Sequence, residues 1–238
     1  MEYLNYINKI EELISSLKKS DEEQKCILKA ADLIAESIMG GGILQAYGLG
    51  HSKASAIEIC GRAGGLIPTK IISSKTEGIV EKVEGTGTAW TRKLNFNPHD
   101  ILVVISNSGN AAFGSELASF FYENNAPVIL VTSKQVIEQA KLKNKFAKNL
   151  VEKATVILDN FTVEGDASIS VPGIDTKIGP TSSIMNAVSL QSAIYEAIVL
   201  MNNKKFDVPI YKSVNVEGGN EFNKEKEAKY ADRIFAVY

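Results

Sequence analysis

The sequence predicts an α/β protein: a parallel sheet of about five strands in a three-layer αβα sandwich, with N-terminal helices and a C-terminal tail added. Three observations predict it. Short apolar runs recur at residues 43–47, 70–72, 101–105, 128–132 and 155–159. Segments with helical apolar spacing lie between them, the alternation that gives parallel strands joined by crossover helices. The run 101–105 (Ile-Leu-Val-Val-Ile) has no polar break, as suits a strand buried on both faces.

The elements follow in order. Residues 3–19 carry Leu4, Ile7, Ile10, Leu13, Ile14 and Leu17 at three- and four-residue spacing, an amphipathic helix. Ser20 caps a second helix, with Glu23 where a capping box needs it. Three glycines at 40–42 end that helix. A minimal sheet does not need these two helices, so they are expected to wrap the core or pack on a sister subunit. After the first strand, Gly48-Leu49-Gly50-His51-Ser52 opens a helix that Gly64-Gly65 closes. The G-x-G start resembles a dinucleotide fingerprint. Lys53 stands where its third glycine is needed, and no acidic residue ends the strand 70–72, which argues against NAD.

Residues 73–78 form a polar loop holding Glu77, and 79–96 a helix broken near Gly85-Thr86-Gly87. The turn 97–100 launches the central strand. The helix 111–123 and the strand 128–132 complete a right-handed crossover. Residues 135–151 read as helix or loop. The stretch 160–181 is long and irregular, a length at which loops are usually functional. Thr181 caps a long apolar helix running through Met185, Leu190, Ala193, Ala197 and Met201. The tail 202–238 is polar, with a turn at 217–221 and a short helix over 223–234.

Composition narrows the function classes. The chain has 238 residues, 45% hydrophobic and 23% charged, with net charge −2. The basic stretch Lys141 to Lys148 reads as a solvated face, so no nucleic-acid partner is expected. No unbroken apolar run reaches membrane-spanning length, and Glu2, Asn5, Asn8 and Lys9 interrupt any signal-peptide core. Two cysteines without a C-x-x-C predict reduced thiols and a cytoplasmic protein. His51 and His99 are the only histidines, so neither a metal centre nor another cofactor is expected.

Three strand ends carry the chemistry. They lead into Gly48–Ser52, into Ser106-Asn107-Ser108-Gly109-Asn110 and into Thr132-Ser133, while Thr181-Ser182 starts the last helix. In a parallel sheet all strand C-termini share one edge, where ligands bind. Hydroxyls, glycines and helix N-termini without metal ligands suit a phosphate held by neutral donors.

With these turns the chain resembles the sugar isomerase (SIS) domain family over residues 43–203. The S-x-S-G turn Ser106 to Gly109 is that family's phosphosugar signature, and the spacing Gly48-x-Gly50-x-Ser52 fits it. Within the family it most resembles short bacterial phosphosugar-binding proteins of uncertain substrate. There the match extends to Gly165-Asp166-Ala167, Gly179-Pro180-Thr181-Ser182 and Gly218-Gly219. It is similar, more distantly, to muramic acid 6-phosphate etherases and the isomerase half of glucosamine-6-phosphate synthase. The resemblance implies a flavodoxin-like fold and a domain at 41–203, between a helical extension (1–40) and a tail (204–238).

The resemblance also implies a phosphorylated sugar or amino sugar as ligand. By that resemblance Ser52, Ser106, Ser108, Gly109 and Ser133 would bind the phosphate, and Gly50, Asn107, Asn110, Thr181 and Ser182 of the same turns are further candidate contacts. Two departures stand out. Ala111 occupies a position where many SIS proteins place Ser or Thr, which removes a phosphate hydroxyl unless Asn110 replaces it. Lys177 stands near the position of the synthase's catalytic glutamate, so that mechanism does not carry over. Aldose–ketose isomerisation needs a base near the second sugar carbon. Glu77 and His51 are the candidates, with Glu164 and Asp166 behind them and Glu217 and Glu221 reaching a neighbour's site. A homodimer or tetramer is expected. The alternatives to an isomerase are a non-catalytic phosphosugar sensor and an etherase or lyase.

Overall fold

A computed structural model describes residues 1–73 and 78–236. In chain order the elements are α1 (Tyr3–Lys19), α2 (Asp21–Met39), β1 (Leu44–Gly48), α3 (Ser52–Glu58), β2 (Thr69–Ile72), a 3-10 turn (Val80–Lys82), α4 (Thr86–Thr91), β3 (Ile101–Ile105) and α5 (Ala112–Glu123). Then come β4 (Val128–Thr132), α6 (Lys134–Ala140), α7 (Lys145–Lys153), β5 (Val156–Asp159), β6 (Ala167–Ile169), β7 (Ile178–Pro180), α8 (Ser182–Asn203), α9 (Gly219–Glu227) and α10 (Ala231–Ile234). The five-stranded sheet is parallel throughout, in the order β2-β1-β3-β4-β5. The chain leaves β1 for β2 on one side and returns to β3 on the other. Beyond the C-termini of β1 and β3 such an order opens a crevice.

Both sheet faces are covered, which is why β1, β3 and β4 are buried end to end. Leu44, Ala46, Ile101, Val103, Ile129 and Val131 meet α2, α3 and α8 on one face. Tyr47, Leu102, Val104 and Leu130 meet α5 and α7 on the other. Helix α2 belongs to this core, where Ala30, Ala31 and Ala35 leave room for α8 to lie close. Only the C-terminal half of α1 is buried, at Leu13 and Leu17, while Tyr3, Leu4 and Ile7 stay exposed. Helix α8 is long and apolar enough to cross a membrane by length and composition. Here Met185, Leu190, Ala193, Ile194, Ala197 and Met201 line the protein core instead.

Several local expectations change. Ser20 accepts from the Glu23 N–H, but the Glu23 side chain does not close a capping box. It is buried and accepts from the Asp159 N–H, with the Lys134 ammonium 3.4 Å away. Burial pushes its carboxyl up to about 7, against the opposing pull of Lys134. Helix α3 stops at Glu58, well before the glycine pair. The stretch 135–151 is two helices, because the Asn144 side chain accepts from Phe146 N–H and Ala147 N–H and starts α7. The stretch expected to be irregular holds a small antiparallel hairpin, β6 with β7.

The tail wraps the β2 side of the sheet. Pro209 and Tyr211 exchange backbone hydrogen bonds with residues 64–67, and α10 then reaches Asp100 at the start of β3. Asp100 is fully buried and accepts from Ile43 N–H, Gln45 Nε2, Asn97 N–H and Arg233 Nη2. Lys70 holds the end of α10 by donating to the carbonyls of Arg233 and Ala236.

Candidate functional site

The crevice between β1 and β3 is a cleft of about 990 Å³. Its floor is the turn from Ser106 to Ala111. Ser106 Oγ accepts from the Gly109 N–H at 3.0 Å and so shapes the turn. Gly109 has φ +63°, and a Cβ there would lie 3.0 Å from Ala147 Cα, so both conformation and packing require glycine. Ala111 then stands at the N-cap of α5 without a capping oxygen. Among the described residues, the first N–H groups of this twelve-residue helix therefore lack a side-chain acceptor at the cleft. That is where an anion is stabilised by helix donors and dipole together.

The β1 turn supplies one wall. A Cβ on Gly48 would lie 2.3 Å from the Ser52 carbonyl oxygen, so glycine lets α3 fold back onto the strand. Ser52 lines the cleft with Leu49 and Tyr47. Burial pushes the Tyr47 hydroxyl's pKa up, and the charge of Glu81 adds to this. That hydroxyl has no hydrogen-bond partner among the described residues. The opposite wall is α6 and the turn after it, with Gln135, Gln139 and Lys143. Glu164 and Asp166 also line the cleft.

Only some of the sequence-derived residues reach the cleft. Ser52, Ser106, Asn107, Ser108 and Asn110 come together in the cleft, and Gly109 shapes its floor. Gly50 takes φ +60° in the β1 turn but is not in the lining, and His51 is exposed just before α3, outside the lining. Ser133 is fully buried, donates to the Thr162 carbonyl at 2.5 Å and accepts from Val136 N–H. It supports the site from behind and lines no part of the cleft.

The Ser182 hydroxyl is also occupied within the fold, whereas Thr181 is tied by its backbone N–H and its buried hydroxyl has no hydrogen-bond partner among the described residues. Asp166 Oδ1 accepts from the N–H groups of Thr181 and Ser182, and its Oδ2 accepts from Ser182 Oγ. The cap of α8 is thus Asp166, not the expected Thr181 hydroxyl. Glu217 and Glu221 are exposed near the start of α9 and do not line this chain's cleft. Glu77 lies outside the described residues.

Sequence reasoning missed a buried amide network behind the floor. Asn160 Nδ2 donates to Asn107 Oδ1 and Asn186 Oδ1, at 2.7 and 2.9 Å, and Asn186 Nδ2 donates to Ser55 Oγ. The network ties β3, the end of β5, α8 and α3 into one frame around the cleft. Asn186, set between Met185 and Ala187 in the first turns of α8, was its available signal. Among the described residues, no group of three or more His, Cys, Asp or Glu could hold a metal ion.

A family model described as the SIS domain matches residues 5–133, more than half of the chain. The chain belongs to the SIS-domain family. This SIS-domain protein is 44% identical over 232 residues to a UPF0309 protein of Listeria monocytogenes, covering 98% of each chain. It is 32% identical over 239 residues to a UPF0309 protein of Halalkalibacterium halodurans, covering 97% of this chain and 95% of that one. Among solved structures, phosphoheptose isomerase of Neisseria gonorrhoeae is similar, with a TM-score of 0.55 and 18% identity. That match covers 82% of this chain and 96% of the other. Phosphoheptose isomerase of Francisella tularensis matches with a TM-score of 0.54 and 13% identity, over 82% and 96%. At these identities the two structures share the fold with this SIS-domain protein.

Proposed function

We propose that this SIS-domain protein binds a phosphorylated sugar or amino sugar and interconverts its aldose and ketose forms by proton transfer. The observation that carries the binding step is the α5 N-terminus, which no side chain caps among the described residues and which opens onto Ser106, Ser108 and Ser52. A phosphate there meets helix N–H groups and hydroxyls together. The family membership and the phosphoheptose isomerases of like fold support the same ligand class. The sugar lies in the same cleft as Glu164, whose carboxylate has no hydrogen bond or ion pair among the described residues. Glu77, the base suggested by the sequence, and Glu164 are the two carboxylates to test.

One observation favours a second reading, a phosphosugar sensor without catalysis. Of the two carboxylates in the described lining, Asp166 is held by the α8 donors, and His51 lies outside the lining. A thermal-shift panel of sugar phosphates, followed by proton exchange in D2O on the best binder, separates the two. Exchange of the carbon-bound proton, falling about 100-fold or more in Glu77→Gln or Glu164→Gln, is expected for the isomerase. Tight binding without exchange gives the sensor. We further propose self-association through the exposed apolar residues Tyr3, Leu4, Ile7, Leu28 and Tyr195. Sedimentation as a monomer at micromolar concentration would sink that part.

A further inference from the structure

We infer that the ligand of this cleft carries a second anionic group, a carboxylate or a second phosphate, which Lys143 receives. The inference takes the phosphosugar site proposed above as its starting point. It begins from a contrast within the basic stretch 141–148. Lys141 pairs with Glu138 at 2.5 Å, Lys145 with Glu84 at 2.5 Å and Lys148 with Glu152 at 3.8 Å. Lys143 alone of these lysines lines the cleft, and it has no ion pair or hydrogen bond from its ammonium among the described residues. Lys82, also in the lining, is likewise without one among the described residues. The chain has 28 acidic side chains for its 26 basic ones, so partners are not scarce. The same lining holds two carboxylates, Glu164 and Asp166, so the attraction is local to the Lys143 ammonium and is not a net positive field of the whole cleft.

The wall that carries Lys143 is built as a row. Gln135 and Gln139 lie one helical turn apart on α6, about 6 Å along its axis. Both line the cleft, and their amides make no hydrogen bond among the described residues. The row starts beside the phosphate turn, because β4 feeds α6 and pairs with β3 through Ile105 and Val131. It therefore runs from the phosphate end, past two amides suited to sugar hydroxyls, to a cation. The backbone at the far end is fixed: Lys143 and Asn144 both donate to the Ala140 carbonyl, and the Asn144 side chain caps α7. Only the lysine side chain has to order on binding, which limits the entropic cost. The cleft's 990 Å³ lies at the upper end of small-molecule sites, roughly 300–1,000 Å³, and accommodates the longer ligand.

Calorimetry on the full chain tests this with four probes. Fructose 6-phosphate and glucosamine 6-phosphate carry one anionic group; 6-phosphogluconate and fructose 1,6-bisphosphate carry two. At least one two-anion probe is expected to bind about tenfold or more tighter than either monophosphate. Which of the two it is distinguishes a carboxylate from a second phosphate. Lys143→Gln is expected to weaken the two-anion probe about tenfold more than the monophosphates. Lys148→Gln, on the same stretch but outside the cleft, keeps the wild-type ratio. Equal affinity for both classes in the wild type, or an unchanged ratio in Lys143→Gln, overturns the inference while leaving the phosphosugar site standing. No binding of any of the four overturns that site and the inference with it.

Discussion

Replacing Ser106 and Ser108 together by alanine is expected to weaken sugar-phosphate binding by roughly two to four orders of magnitude. Each hydroxyl lost from a charged ligand is worth about 1.5–3 kcal/mol, a factor of about 10–150. The two losses differ in kind. Ser108 Oγ takes no part in any hydrogen bond among the described residues, so Ser108→Ala removes a ligand contact and little else. Ser106 Oγ also accepts from Gly109 N–H, and Gly109 is packed against Ala147 and Ile137. Ser106→Ala therefore loosens the turn that presents the α5 N-terminus. It should cost about 1 kcal/mol of stability in addition to affinity. Calorimetric titration and urea unfolding of the two single variants and the double variant check both halves. An unchanged dissociation constant in the double variant would place the ligand elsewhere.

The largest stability effect is expected at the opposite edge of the sheet. Asp100→Ala should lower unfolding free energy by about 3–5 kcal/mol, because it removes one partner of a buried ion pair. Four donors lose their acceptor at once: Ile43 N–H, Gln45 Nε2, Asn97 N–H and Arg233 Nη2. The guanidinium it strands is already poorly placed, since Arg233 Nε and Nη1 are buried with no partner among the described residues. The reverse change is milder. Arg233→Met leaves Asp100 with three donors and keeps apolar volume under the tail, so it should cost less than Asp100→Ala. Urea unfolding of the two variants measures the difference. A loss below about 1 kcal/mol for Asp100→Ala would show that α10 is not held by this pair.

The five parallel strands and the serine turns were legible along the chain because their causes are local. A strand buried on both faces must be apolar at every position, and 101–105 is. A turn that gives way to a helix start needs small and hydroxyl residues in immediate succession, and 106–110 supplies them. Strand order was not legible in the pattern itself; only the family resemblance pointed to a flavodoxin-like sheet, and the order β2-β1-β3-β4-β5 comes from the structure. Ser52, Ser106 and Ser108 reach one cleft because each follows a strand whose C-terminus lies on a common edge.

Partnership between distant side chains was not legible. Ser133 and Ser182 look on paper like Ser106, a hydroxyl at a helix start. One is occupied by the Thr162 carbonyl, 29 residues away, and the other by Asp166, 16 residues away. Glu23 suits a capping box until Asp159, 136 residues on, takes its carboxylate. Lys143 reads as one more surface lysine among four, and only the position of the α6–α7 turn over the cleft separates it from its ion-paired neighbours. Residue type and spacing decide what a backbone segment becomes, because helix and strand are made by neighbours in the chain. Which polar side chains remain free for a ligand depends on the packing of segments far apart in sequence, since a buried donor or acceptor takes whatever partner the fold brings within 3 Å.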